Sequence, residues 1–153
     1  MWIYEKKLQY PVKIAHANPR LAGLIITALG GPDGETGAAM RYLNQRYTMP
    51  DGRVIATLTD VGSEELGHME MVASLVYQLT RNLTDEEIKA GGFDKYYVDN
   101  GAGIFPSSAS GVPFNAMAIA SKEDALADIH EDLAADAAIL QEQPLSKNRR
   151  KAL

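Results

Sequence analysis

The hydrophobic pattern of the chain is strongest in one long run, residues 53–82. Its apolar stripe is Ile55, Leu58, Gly62, Met69, Val72, Val76 and Leu79, and Glu65 falls in the gap between Gly62 and Met69. Alternating three- and four-residue steps of this kind mark the seam of a helix packed in a bundle. Glu65 therefore stands where the pattern asks for an apolar side chain. A second row, Val54, Val61, His68 and Leu75, runs beside the first at seven-residue spacing and turns His68 inward. Glu65 and His68 are three residues apart and share a helical face. A buried carboxylate is costly unless it is paired or binds a metal. The pair has two readings: an ion pair with an arginine beside a satisfied core histidine, or two metal ligands.

Further helices flank this one. An arm over residues 1–16, with strand-like character at Gln9-Tyr10-Pro11-Val12, leads to Asn18-Pro19, a cap and first-turn proline for a short helix over 20–29. The turn at Gly30-Gly31-Pro32-Asp33-Gly34 lacks the Gly-Lys-Ser/Thr of a phosphate loop and reads as punctuation. A second core helix is predicted over 33–47, with Glu35, Ala38, Ala39, Tyr42 and Arg46 on one face and Glu35 about two turns inside. Glu35 can also be read as a helix-start carboxylate favoured by the macrodipole. Pro50-Asp51-Gly52 is a tight connection, which makes the two core helices antiparallel neighbours. In a hairpin centred near Asp51, Glu35 falls level with Glu65 and His68. Thr84-Asp85-Glu86-Glu87 opens a short capped helix that stops at Gly91-Gly92. Residues 93–120, rich in Gly, Ser, Asn and Pro, form a long crossover. Ser121-Lys122-Glu123-Asp124 then caps a last helix to about residue 141, whose stripe is Leu126, Ile129, Leu133, Asp136 and Leu140. Asp136 is either a second seam carboxylate or the mark of a polar helix edge.

Length and charge narrow the chemistry. The chain has 153 residues, 46% of them hydrophobic, which fits a single compact domain over 1–153. A net charge of −5 argues against a general nucleic-acid binder. Without cysteine there is no disulfide framework, thiolate nucleophile or cysteine-ligated zinc. No apolar run approaches the roughly 20 residues of a membrane span, and the N-terminus lacks the apolar core of a signal peptide. The expectation is a soluble cytoplasmic protein with no membrane partner. Three helices each carry an acidic residue on a predicted buried face, and one adds a histidine. Oxygen and nitrogen donors without sulfur suit manganese or iron in a helix bundle. Such a site supports redox or oxygen chemistry rather than hydrolysis at a single zinc.

The text of the chain also resembles the manganese catalase family, and within it the short CotJC-type spore-coat branch. The resemblance rests on Met1-Trp2-Ile3-Tyr4-Glu5-Lys6-Lys7-Leu8-Gln9-Tyr10-Pro11, on Gly30-Gly31-Pro32-Asp33-Gly34-Glu35 and on Arg41-Tyr42-Leu43-Asn44-Gln45-Arg46-Tyr47. It continues with Glu64-Glu65-Leu66-Gly67-His68-Met69-Glu70, Gly111-Val112-Pro113-Phe114 and residues 128–136, and fades after about 138. It implies an all-α, ferritin-like four-helix bundle around a dimanganese centre that disproportionates hydrogen peroxide. By the resemblance, Glu35 and His68 ligate the first manganese and Glu65 bridges the pair. Tyr42 is implied as an outer-shell hydroxyl, and Asp136 as the carboxylate of the second manganese. The resemblance also implies a homo-oligomer, and the CotJC branch adds other spore-coat proteins as partners and the spore coat as a location.

Two departures shape the expectation. Asp136 stands where the family has a glutamate, one methylene longer. The family's second histidine comes from a fourth core helix, which is not seen here, and residues 139–153 form a divergent tail with several basic residues. His16 and His130 do not fill that role by position. The expected protein is thus a manganese catalase with a full first metal site and a reduced second one. The alternatives are a structural spore-coat protein with little activity, or an iron enzyme on the same ligands.

Overall fold

The computed structural model describes residues 3, 5, 7–97, 104, 107–112, 115, 117 and 121–142. Among the described residues there are five α-helices: α1 (Pro19–Gly30), α2 (Glu35–Gln45), α3 (Gly52–Thr80), α4 (Asp85–Gly91) and α5 (Ala125–Glu142). Among the described residues there is no strand, only an isolated bridge between Tyr97 and Ile104. No helix of the described chain is long and apolar enough to cross a membrane. The divergent tail beyond residue 142, parts of the crossover and the side chain of Leu140 lie outside the described residues.

Local chemistry sets the helix ends. Asn18 caps α1 by accepting from the Leu21 N–H, with Pro19 in the first turn. Asp51 caps α3 by accepting from the Arg53 N–H at 2.7 Å. A 3₁₀ turn (Arg46–Thr48) joins α2 to that cap. Thr84 and Glu87 close a reciprocal capping box on α4, which ends at Gly92 with φ 71°. Asp124 accepts from the Leu126 and Ala127 N–H groups at the start of α5.

The long helix α3 is the spine. Both α1 and α2 pack on it, while α5 reaches α2 and α1. Two apolar clusters lie along α3. One joins Ala22 and Ile26 of α1 to Val76, Leu79, Ile88, Phe93 and Tyr96; the other joins Ala38, Tyr42, Met49 and Leu58 at the hairpin end. Glu65 and His68 sit on α3 between them. The predicted seam of α3 is buried at Leu58, Gly62, Val76 and Leu79, whereas Ile55 stands at an exposed edge.

Three expectations change. The arm over 9–12 is not a strand. Its backbone is held by the Gln78 side chain, which accepts from the Ile14 N–H and donates to the Val12 carbonyl, both at 2.9 Å. A glutamine on a helix thus supplies the pairing that a neighbouring strand would otherwise give. Glu35 is not two turns inside α2 but its first residue, because the Pro32-Asp33-Gly34 turn runs on to the Gly34 cap. The α5 stripe is also different: Leu126 and Leu133 are 67% and 62% exposed, and Asp136 is exposed. The face α5 buries is instead Asp128, Asp132 and Ala135. Asp128 is held by the Lys122 N–H at 2.7 Å and the Ser121 hydroxyl at 3.3 Å, so its burial serves the turn into the helix.

The described part of the crossover is anchored by polar contacts. The Ala109 N–H donates to the Thr27 hydroxyl at 2.6 Å, and the Tyr96 hydroxyl donates to the Ala109 carbonyl at 2.9 Å.

Gly62 sets how closely α2 approaches α3. A Cβ at this position would lie 2.9 Å from Leu43 Cγ and 3.1 Å from Tyr42 Cβ. Gly62→Val is therefore expected to push α2 outward and destabilise the protein by about 1–3 kcal/mol, read as a lowered midpoint in thermal unfolding.

Candidate metal centre

The hairpin of α2 and α3 brings two carboxylates and an imidazole together. Glu35 is fixed at the α2 start by a tight turn: the Gly34 N–H donates to the Gly31 carbonyl, and the Thr36 hydroxyl donates back to the Leu29 carbonyl at 2.8 Å. A carboxylate in a first helical turn is favoured by the aligned backbone N–H groups. Glu65 and His68 lie mid-helix on α3, one turn apart on the face toward α2.

One donor atom from each of Glu35, Glu65 and His68 lies within 4.8 Å of the others, and all three residues are half-buried. Glu65 Oε2 is 2.8 Å from His68 Nδ1, and the Glu65 side chain is only 13% exposed. The Glu35 carboxyl is pushed up to about 8, first by burial, then by its hydrogen bond to Glu65 and the charges of Glu65 and Asp136. Two carboxylates this close do not both ionise in the absence of a cation. A divalent cation would take the place of the shared proton. The donor set of two carboxylates and one imidazole fits manganese or iron.

Asp136 is not among the three. It accepts a hydrogen bond from the buried Tyr42 hydroxyl at 3.1 Å, and its charge reaches Glu35. Burial first, then the Asp136 carboxylate, hold the Tyr42 hydroxyl above its ordinary range. Tyr42 and Asp136 face a cleft of about 520 Å³ between α3 and α5, walled by Val54, Leu58, Val61 and Ile129. His16 is exposed in the N-terminal arm, and His130 is exposed on α5. Neither joins the group.

A buried polar layer was not foreseen from the sequence. Arg41 and Gln45 of α2 are buried together with Asp132 of α5. Burial raises the Asp132 carboxyl to about 6, Gln45 and Arg41 partly oppose that, and Asp128 and Asp136 add to it. The signal was in the spacing. Arg41 and Gln45 are four apart, and Asp124, Asp128, Asp132 and Asp136 recur at every fourth position.

Residues 1–145 match the manganese-containing catalase family. The chain is 52% identical over 136 residues to Protein CotJC of Bacillus subtilis (strain 168), covering 89% of this chain and 71% of that protein. It is 32% identical over 149 residues to a manganese catalase of Bacillus subtilis, covering 89% of this chain and 55% of that enzyme. Among solved structures, wild-type KatB, a manganese catalase from Anabaena, superposes with a TM-score of 0.78 at 28% identity, over 93% of this chain and 64% of KatB. The chain thus spans little more than half the length of the Bacillus enzyme. Its fold is the ferritin-like helical fold of these catalases.

The state of Glu35 gives a pH dependence with a definite sign. Between its unfolded value of 4.5 and its folded value of about 8, the folded metal-free protein holds a proton that the unfolded chain has released. Its contribution to stability is therefore greatest at low pH and declines as pH rises toward about 8. Thermal unfolding of metal-free protein across this range should show that decline. Glu35→Gln should flatten it, and an unchanged profile would show that Glu35 does not hold the proton.

Proposed function

We propose that this chain, which belongs to the manganese-containing catalase family, disproportionates hydrogen peroxide to water and dioxygen at a manganese centre. The convergence of Glu35, Glu65 and His68 within 4.8 Å is the observation that supports it. In the balanced reaction one peroxide is oxidised to dioxygen and releases two protons and two electrons. A second peroxide takes these up to become two waters.

Bound manganese supplies the two-electron redox chemistry. The residues do the rest. Glu35 and Glu65 would hold the cation and offset its charge, and His68 would add a nitrogen donor. Asp136, held by Tyr42, would provide a carboxylate for a second ion. The Tyr42 hydroxyl orients that carboxylate and holds its own proton firmly. The apolar cleft beside them suits a small uncharged substrate. Iron on the same donors is the alternative metal, and bound-metal analysis separates the two.

A second reading draws on the higher identity to CotJC. On this reading the chain is a spore-coat component that keeps the bundle but turns over little peroxide. The shorter Asp136 favours it, because the carboxylate stops one methylene short of the reach of a glutamate.

A homo-oligomer is part of the proposal. Leu126 and Leu133 stand exposed on α5, and each fully buried leucine contributes about 1.5–3 kcal/mol relative to exposure. A second subunit is a natural cover for them. Leu126→Ser with Leu133→Ser should shift sedimentation toward a smaller species, and a chain that already sediments as a monomer dismisses the idea.

Metal content and peroxide turnover test the main reading. We expect roughly one tightly held manganese per subunit, because Glu35, Glu65 and His68 converge while Asp136 stands outside the group. Glu35→Ala and His68→Ala should each abolish it, and Asp136→Glu should raise metal content or turnover. Stoichiometric binding that survives both alanine changes would overturn the assignment.

A further inference from the structure

The cleft between α3 and α5 is far larger than hydrogen peroxide requires. It encloses about 520 Å³. A water molecule takes up about 30 Å³ in the liquid, so a peroxide, with two oxygens, needs on the order of 60 Å³. Clefts of about 300–1,000 Å³ with apolar walls and a few polar groups hold organic molecules instead.

Two helices supply the walls. Val54, Leu58 and Val61 line the cleft from α3, four and three residues apart on one side of the helix. Ile129 lines it from α5. The two ends of the cleft are unlike. At one, the Tyr42 hydroxyl donates to Asp136 at 3.1 Å. That end is level with Gly62, where a Cβ would come within 3.1 Å of Tyr42 Cβ, and Glu65 follows less than one turn further along α3. At the other end, Arg53 is paired with Asp51 at 2.9 Å, and Val54 and Ala125 pack on the same apolar cluster. The charges of Arg53 and Asp51 cancel, so nothing at this end calls for an ionic ligand. From Val61 to Val54 the helix spans about 10 Å. An extended chain advances about 1.2 Å per bond, so a straight alkyl group of about eight carbons matches that length.

The cleft thus fits a neutral molecule with one polar end and an unbranched apolar body. The chemistry beside its polar end selects what that end is. We propose that the cleft binds a neutral alkyl hydroperoxide, with its alkyl group along Val54, Leu58, Val61 and Ile129 and its O–O end at Tyr42 and Asp136, and that this compound is reduced at the expense of hydrogen peroxide. The binding site stands on the cleft alone, whereas the turnover rests on the catalase reading above. In that turnover hydrogen peroxide is oxidised to dioxygen and releases two protons and two electrons. The alkyl hydroperoxide takes them up as its O–O bond breaks. Its outer oxygen leaves as water, and its inner oxygen stays on carbon as an alcohol. The roles do not exchange, because freeing dioxygen from the alkyl compound would require breaking its carbon–oxygen bond. An alkyl hydroperoxide alone is therefore not turned over.

Binding is tested on the full metal-free chain with straight primary alcohols, the unreactive products, by chemical-shift titration. Affinity should rise about two- to fourfold per methylene from butanol to octanol, and level off beyond about eight carbons. Val54→Phe shortens the cleft at its far end. It should weaken octanol about tenfold and leave butanol within about twofold. If that variant fails to fold, Ile129→Phe, which narrows the cleft, should weaken octanol to a similar degree. An affinity that is flat with chain length, as it would be with a second copy filling the cleft, overturns the site. On the manganese-loaded chain, octyl hydroperoxide should yield octanol steadily only when hydrogen peroxide is also present. Val54→Phe should lower octanol formation about tenfold relative to butanol formation from butyl hydroperoxide. Hydrogen peroxide consumed without any octanol formed overturns the proposed turnover and leaves the catalase reading standing. Alcohols bound with the expected length dependence by a chain that consumes neither peroxide overturn the catalase reading and leave the binding site standing.

Discussion

Glu35 and Glu65 face each other across the α2–α3 hairpin, and the half-buried space between them does not tolerate two uncompensated negative charges. The local design answers that constraint. Without a cation the pair keeps a proton, and a bound cation would replace it. Placing the carboxylates this close requires the helices to meet closely, which Gly62 permits beside Leu43 and Tyr42. It also requires Glu35 to be anchored, which the Gly31–Gly34 turn and the Thr36 bond to Leu29 accomplish. His68 completes the group by holding one oxygen of Glu65 at 2.8 Å.

The last helix is attached by different means. It buries carboxylates rather than leucines: Asp128 serves the turn into the helix, and the Tyr42 bond to Asp136 ties the helix to α2. Such contacts are directional, and they fix the angular position of α5 more sharply than apolar packing does. They also leave Leu126 and Leu133 facing outward.

Much of this was legible in the residue pattern. The caps at Asn18 and Thr84 were readable, and the three-and-four spacing of α3 with the tight Pro50-Asp51-Gly52 turn put Glu35, Glu65 and His68 at one height, where the structure brings them together. The α5 face was not legible. Its leucine stripe is periodic, but periodicity marks an apolar face without saying what covers it, and here the buried side is the aspartate row. The strand-like arm misled because extended backbone looks the same whether a strand or a glutamine side chain satisfies it. Arg41 and Gln45 were passed over because long polar side chains usually reach solvent. Their burial depends on the approach of a helix some ninety positions away along the chain.

The separation in sequence between the Glu35, Glu65 and His68 group and Asp136 has a consequence for biosynthesis. Everything that converges on Glu35, Glu65 and His68 is encoded by residue 80, in a hairpin closed by a short connection. Asp136 meets Tyr42 only after a further long stretch has left the ribosome. Contacts between near neighbours in sequence form early, and distant ones wait for loop closure. The nascent chain therefore passes through an interval in which Glu35, Glu65 and His68 can meet before α5 docks and brings Asp136 to Tyr42. On the manganese reading, the ion the centre takes up would depend partly on which ions surround the chain during synthesis, and not on the finished pocket alone.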